Sequence, residues 1–233
     1  MASSFRALEI ASPVYDLLSY LPVSSTEEYR KGATIYGPDR PSGNIYLAVE
    51  GTVKLSHITE GGHEVLLDII CPDELFGLAS FLAVPLRSEQ ATAMGPVHLM
   101  VWPVATIEDL VTKRPPLAVA LLQIMAKRNV DFAHRIESFS VDTVERRLAR
   151  TLLHLSERLG KPDGNGSVRL MPLTHETLSR LIGTSREVVT QYMNALRRRG
   201  CVHYSRRETI LYPDALAASL VRPQRAAAAV LGL

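Results

Sequence analysis

Cysteine is scarce in this chain: Cys71 and Cys201 are the only two in 233 residues, and neither belongs to a Cys-x-x-Cys pair. That argues against a disulfide framework and against a cysteine-rich zinc or iron–sulfur site, and a reducing cytoplasm suits both thiols. No run reaches the roughly 18 apolar residues that a membrane span requires. Met1 to Arg30 lacks a basic start followed by an apolar core and a small-residue cleavage site, so a cytoplasmic protein with no membrane partner is expected. Catalytic signatures are missing too. There is no Gly-x-Ser-x-Gly, no phosphate-cradling Gly loop ending in Lys-Ser or Lys-Thr, and no His-Glu-x-x-His, so no enzyme is expected. His57, His63, His98, His134, His154, His175 and His203 include no pair three or four apart on one helix, and no metal site is expected. Net charge is only +2, with 46% hydrophobic and 21% charged residues, which is ordinary globular material with length for two domains.

Charge is nevertheless unevenly placed. From Arg180 through Arg207 there are seven Arg (Arg180, Arg186, Arg197, Arg198, Arg199, Arg206, Arg207) against the single acid Glu187. The same stretch, Leu173 to Gly200, has the pattern of a helix-turn-helix. Thr174 can cap a first helix burying Leu178, Leu181 and Ile182, and Gly183 supplies the backbone freedom for a tight turn. Thr184 or Ser185 can cap a second helix, on which Val189, Tyr192, Met193 and Leu196 face inward and Arg186, Glu187, Thr190 and Gln191 outward. Arg suits guanine acceptors, Glu a cytosine amine, Gln adenine, and Thr can donate, accept or offer a methyl. Two ordinary packed helices with a solvated Arg face are the plain alternative. The placement of Gly183, the Arg-Arg-Arg-Gly exit and a following hairpin, Val202 to Tyr212 with Arg206 and Arg207 at its tip, favour double-stranded DNA. Were Thr184 the cap, Glu187 would fold back as a capping-box carboxylate; Ser185 would free it.

Upstream, the period is that of strands. Phe5 to Leu21 suits short helices interrupted by Pro13, but Tyr29 to Pro38, Ile45 to Leu55, Val65 to Ile70 and Val97 to Val104 are short β-rich runs between Gly and Pro turns, with a hairpin tip at Gly61-Gly62. Such runs imply a compact barrel or roll over residues 1–116, with a short helix beginning at Thr106. Pro115-Pro116 ends it, and residues 117–140 form a long helix on which Leu121, Ile124, Met125, Arg128, Phe132, Arg135, Ile136 and Phe139 trace one stripe. A helix of about 24 residues spans about 36 Å, longer than a small domain covers, so Leu121, Met125, Arg128, Phe132, Ile136 and Phe139 are expected to meet a second copy in a homodimer. Residues 141–222 hold a further helix from Val141 to Leu159, a plain loop at Lys161 to Ser167, and the helix-turn-helix with its wing. A hinge is expected near Ser138 to Asp142, and residues 223–233 are an Ala-rich tail.

This order resembles the family of the cyclic-AMP receptor protein and the fumarate and nitrate reduction regulator. The residues that carry it are Gly32 to Gly37, Tyr46 through Gly51 to Leu55, Pro72-Asp-Glu-Leu-Phe-Gly77, and Thr174 to Gly200 with its Ser185-Arg186-Glu187 core. The resemblance implies an α+β fold: an amino-terminal double-stranded β-roll (a cyclic-nucleotide-binding-like jelly roll), a long dimerisation helix and a carboxy-terminal winged helix-turn-helix. It also implies a dimeric transcription regulator on a two-fold symmetric operator, with RNA polymerase as partner if it activates. Arg186, Glu187 and Gln191 fall at base-reading positions, with Gln in place of Arg at the third; Thr174 and His175 fall at phosphate-contacting ones. The half-site is therefore expected to be related to TGTGA but altered or relaxed at one guanine.

The sensory half departs from the family pattern. Where a Gly-Glu pair binds ribose, Gly77 is followed by Leu78; Arg87-Ser88 sits at the phosphate pair; and Phe132-Ala133 replaces two base-reading hydroxyls. A buried ribose hydroxyl without its partner costs roughly 1 to 3 kcal/mol, so cyclic AMP is not the expected effector. An apolar or anionic small molecule, or no effector, fits better. Three alternatives stay open: a cyclic-nucleotide-responsive member of the family, a haem or gas sensor with ligands distant in sequence, and a purely sensory cyclic-nucleotide-binding module. The iron–sulfur branch is disfavoured because its amino-terminal cysteine cluster is absent, and no cofactor is expected.

Overall fold

The computed structural model describes residues 20–62, 64–82, 88–205 and 208–221; Phe5 to Ser19 of the first expected helical stretch, Arg87, Arg206, Arg207 and the tail lie outside them. The β-rich runs resolve into β1 (Ser25–Tyr29), β2 (Thr34–Tyr36), β3 (Asn44–Glu50), β4 (Val53–Ile58), β5 (Glu64–Ile70), β6 (Leu75–Phe76), β7 (Glu89–Ala93) and β8 (Val97–Pro103). They make two four-stranded sheets, ordered β1-β8-β3-β6 and β2-β7-β4-β5. This is the expected β-roll. Two of the runs are shorter than their composition suggests. Ile45 to Leu55 is broken at Gly51, whose φ is +82° and where an added Cβ would lie 2.2 Å from the Pro96 carbonyl oxygen. No side chain fits that corner, so the chain must turn there. The Tyr29 to Pro38 run divides between β1 and β2 around Gly32, at φ +82°.

Alternation along β3 shows where the cores lie. Tyr46 and Ala48 join Ile35, Tyr36, Leu55, Phe76 and Leu99 between the sheets. Ile45 and Leu47 point the other way, onto Leu75, Leu78, Trp102, Ile107, Leu117, Ala120 and Ile124. A strand covered on both faces is apolar at successive positions, which is why this stretch reads as a continuous hydrophobic run. The second cover comes from α1 (Val104–Lys113) and α2 (Pro115–Val141). The long helix starts at Pro115, before the Leu117 expected from the sequence. Proline is accepted in a first helical turn because its missing N–H would have no intrahelical acceptor there.

At 27 residues α2 is about 40 Å long. It ends at Val141, and α3 (Val144–Leu159) restarts after Thr143, whose hydroxyl accepts from the Arg146 N–H at 3.4 Å. Asp142 sits in this break with its side chain only 4% exposed. Its carboxylate accepts from the Ser138 hydroxyl at 2.8 Å, from Arg146 at 3.2 Å and from Arg150 at 2.8 Å. Burial alone would raise its pKa, but the Ser138 and Arg146 hydrogen bonds and the charges of Arg150 and Arg146 outweigh that and hold it below the ordinary 3.8. Its contribution to stability is therefore complete well above that value and disappears as pH falls through the lower folded one. Asp142→Ala should cost about 2 kcal/mol in urea unfolding at pH 7, with the difference from wild type vanishing in strong acid.

The remaining elements are α4 (His175–Ile182), α5 (Arg186–Arg198), α6 (Pro213–Val221) and a small antiparallel sheet. That sheet has the order β11-β12-β10-β9, from β9 (Lys161–Pro162), β10 (Val168–Leu170), β11 (Val202–Tyr204) and β12 (Thr209–Leu211). The expected plain loop after Lys161 thus begins with a strand. Arg169 on β10 holds the loop by bonding Asp163 at 2.6 Å and Glu208 at 3.3 Å, a pairing across sequence that local composition does not reveal. By its contacts the chain divides into two compact units, one within residues 1–134 and one taking Glu64–Leu66 with Arg135 onward. No helix among the described residues is long and apolar enough to cross a membrane.

Candidate nucleic-acid interface

Both helices of the motif are capped by side chains. Thr174 accepts from the Thr177 N–H at 3.0 Å, and Ser185 from the Val188 N–H at 3.4 Å, which decides between the two candidate caps of α5. Between them Gly183 adopts the left-handed conformation, φ 64° and ψ 54°, and the N–H of Thr184 bonds the Ser179 carbonyl at 3.1 Å. Leu178, Leu181 and Ile182 on α4 and Val189, Met193 and Leu196 on α5 are buried, while Tyr192 is half-buried. The inward set of the sequence pattern is therefore realised, and of the outward set Arg186, Glu187 and Gln191 are exposed, together with Ser185 and Thr174, while Thr190 is not.

Three of the expected contact residues are less free than their spacing suggests. Thr190 is half-buried and its hydroxyl donates to the Arg186 carbonyl at 2.9 Å, so the 2.8 Å approach of His175 Nδ1 makes that ring nitrogen the donor to Thr190. His175 also lies edge-on to Tyr204, with centroids 5.2 Å apart. Burial first, and the Arg186 charge second, lower its pKa below 6.5, which keeps the ring neutral at pH 7. Glu187 folds back even though Ser185 is the cap. Its carboxyl is held low by a hydrogen bond from its own backbone N–H, then by one from the Ser185 hydroxyl, with the Arg186 charge adding to both. The side chain remains on the surface, and rotating it outward breaks only these local bonds.

The arginine excess is partly compensated by acids outside the counted stretch. Arg180 pairs with Glu176 at 3.0 Å, and Arg199 pairs with Glu145. Arg197 lies over the Tyr204 ring at 5.3 Å, and Tyr204 donates to Asn194 at 3.0 Å. This Asn194, Arg197 and Tyr204 set ties α5 to β11 and was not singled out by sequence. Arg197 drew notice only as charge, and nothing local marks an Asn ten residues before a Tyr. Arg186 and Arg198 stand exposed. Below the turn, Arg147 covers the Phe139 ring at 4.5 Å and donates to the Ile182 carbonyl at 3.0 Å.

Among the expected effector residues, Leu78 is committed to the helix-side core at 7% exposure, Ser88 is half-buried, and Phe132 and Ala133 are exposed on α2. Arg87 lies outside the described residues, so the set cannot be followed as a whole. Among the six helix positions assigned to a dimer, Met125, Phe132, Ile136 and Phe139 are exposed. Leu121 instead packs on the helix-side core and Arg128 donates to the Leu75 carbonyl, because those positions are on the edge of α2 nearer Leu117 and Ile124, and exposed Phe139 on the same edge has Arg147 over one face of its ring. No group of three or more His, Cys, Asp or Glu among the described residues could hold a metal ion.

Residues 26–114 match the cyclic nucleotide-binding domain and residues 146–219 the Crp-like helix-turn-helix domain. The chain is 31% identical over 194 residues to the global nitrogen regulator of Synechococcus elongatus, covering 82% of this chain and 87% of that one. This chain is a member of the CRP/FNR family of transcription regulators. The regulator is also 26% identical to the CRP-like cAMP-activated global transcriptional regulator of Mycobacterium tuberculosis, over 79% of its own length and 82% of the relative. Its fold matches that of FixK2 from Bradyrhizobium japonicum with a TM-score of 0.74 at 22% identity, covering 84% and 97% of the two chains. Its helix-turn-helix is a DNA-binding domain, and Arg186, Glu187 and Gln191 stand on the exposed face of α5.

Proposed function

We propose that the regulator binds a two-fold symmetric operator as a cytoplasmic homodimer, with Arg186, Glu187 and Gln191 of each copy reading a half-site related to TGTGA. The observation that carries this is their joint exposure on the outward face of α5, beside Arg198 and the capping residues Thr174 and Ser185. Gln cannot repeat the bidentate grip of Arg on guanine, so one guanine of the half-site is altered or relaxed. His175 and Thr190 act mainly by holding α5 against α4 and the wing. If the regulator activates, RNA polymerase is its further partner.

Cyclic AMP is not the effector in this reading. Leu78 stands where a ribose-binding carboxylate would be needed and is packed among Leu75, Trp102 and Ile124. Between the sheets Tyr36, Tyr46 and Phe76 stack with centroids 5.0 to 6.2 Å apart, and the Tyr36 hydroxyl donates to Glu89 at 2.6 Å. Such an interior suits an apolar ligand, or none, better than a nucleotide, and an anionic ligand would need Arg87 as its partner. The signal shifts the long helices, and the break at Asp142–Thr143 repositions the recognition helices onto successive major grooves.

Fluorescence anisotropy with a palindromic TGTGA-type duplex and a scrambled control, at fixed salt with and without cyclic AMP, tests both halves. Specific binding without the nucleotide is expected. Binding only with it would overturn the effector reading, and affinity for every duplex weaker than about 10⁻⁴ M would overturn the DNA reading. Arg186→Ala should cost about 1 to 3 kcal/mol on the selected operator and little on random DNA. Equal losses on both would reduce Arg186 to a phosphate contact.

A further inference from the structure

We infer that Asn129 sets the register of a parallel coiled coil between the long helices of two copies of this chain. The inference rests on the homodimer reading above and adds to it the alignment of the two helices.

Helix α2 carries two apolar faces. One, formed by Leu117, Ala120 and Ile124, is buried on the roll. The other includes Ala118, Leu122, Met125, Phe132 and Ile136, with Leu122 at 68%, Met125 at 50%, Phe132 at 45% and Ile136 at 67% exposure. Adding Asn129 completes steps of four, three, four, three and four residues from Ala118 to Ile136. That 3.5-residue repeat is the pattern of a coiled-coil seam, with Leu122, Asn129 and Ile136 at one kind of core position and Ala118, Met125 and Phe132 at the other. Ala126 and Ala133, exposed beside the seam, are small enough for close helix approach.

Asn129 is the one polar residue in this run, and it identifies the occupant. Its amide brings two donors and an acceptor, which an apolar partner at that level would leave unpaired. A second copy, parallel and in register, places the same amide opposite by symmetry, and the two satisfy each other. The other alignments fail. An antiparallel pairing of the seam sets Asn129 against Met125, and a heptad slip sets it against Leu122 or Ile136. A lone polar core residue of this kind specifies alignment at some cost in stability.

The experiment uses full-length protein carrying Met125→Cys, with and without Asn129→Val; the natural Cys71 and Cys201 are buried. Sedimentation equilibrium and oxidative crosslinking are measured on each, and operator binding is measured separately on wild type. Met125→Cys should crosslink nearly completely into a dimer. Adding Asn129→Val should tighten self-association about tenfold or more while lowering the crosslinked fraction several-fold or producing larger oligomers. Unchanged crosslinking and a sole dimeric species in the Asn129→Val protein would overturn the inference. Absent crosslinking in Met125→Cys, with two-fold operator binding intact, would overturn the seam and leave the functional reading standing. Crosslinking as expected in a protein that binds no duplex would support the seam and sink the functional reading.

Discussion

Phe132→Glu should convert the dimer largely to monomer at micromolar concentration. Phe132 lies in the second half of the exposed seam of α2 at 45% exposure, with apolar Met125 and Ile136 in the same row. Pairing two copies would bury it, and the substitution then places one carboxylate from each copy near its twin with no cation in the row to match. A buried unpaired charge costs about 3 to 5 kcal/mol, at least a hundredfold in dissociation constant. Operator affinity should fall in parallel, because one recognition helix engages only one half-site. Sedimentation equilibrium of Phe132→Glu beside wild type is the check, with far-ultraviolet circular dichroism confirming that the helix is intact. Unchanged association would eliminate this face as the dimer seam. Leu121→Glu tells the two faces apart: Leu121 packs on the helix-side core, so its loss should appear in folding stability more than in association.

Gly183→Val should unfold the DNA-binding unit or leave it only marginally stable. At φ +64° a left-handed residue with a side chain is strained by roughly 1 to 2 kcal/mol, and more when it is β-branched. In addition, an added Cβ would lie 2.8 Å from Cε1 of Phe139, so this ring, covered on one face by Arg147 but 40% exposed, would have to shift and give up part of that packing. Overpacking of this kind adds about 1 to 3 kcal/mol. Urea unfolding followed by circular dichroism, on Gly183→Val, Gly183→Ala and Gly183→Ala with Phe139→Leu, separates the causes. The double variant should recover part of the Gly183→Ala loss through relief of the ring contact, and the remainder is backbone strain. Full stability in Gly183→Val would mean that the turn accepts another conformation.

The legible parts of this protein are those whose cause is local. Caps at Thr174 and Ser185, a glycine where the chain must turn left-handed, and helical spacing of Leu178, Leu181, Val189 and Leu196 are all set within about four residues, so the helix-turn-helix could be read directly. Alternation and Gly corners marked the roll in the same way. The two-residue strands could not be recognised: Leu75–Phe76 owes its pairing to Tyr46 and Leu47, about thirty residues earlier, and Lys161–Pro162, though its partners Val168 and Arg169 are close by, is too short to show any alternation. Nor could the engagement of Thr190 with His175, since α4 and α5 must first pack before the two side chains meet.

The long helix divides the two kinds of knowledge most clearly. Its length, its apolar stripe and the need for something to cover it were determined by the sequence alone. Periodicity cannot say which edge of a broad stripe is already covered, however. Leu121 and Leu122 are neighbours in sequence and about 100° apart around the helix, so the position of the roll alone sends one into the core and leaves the other exposed. The same holds for Arg128, drawn to the Leu75 carbonyl, and Asn129 beside it, left in the open. Local spacing determined which residues share a helix face; only tertiary packing decided which part of that face remained for a partner.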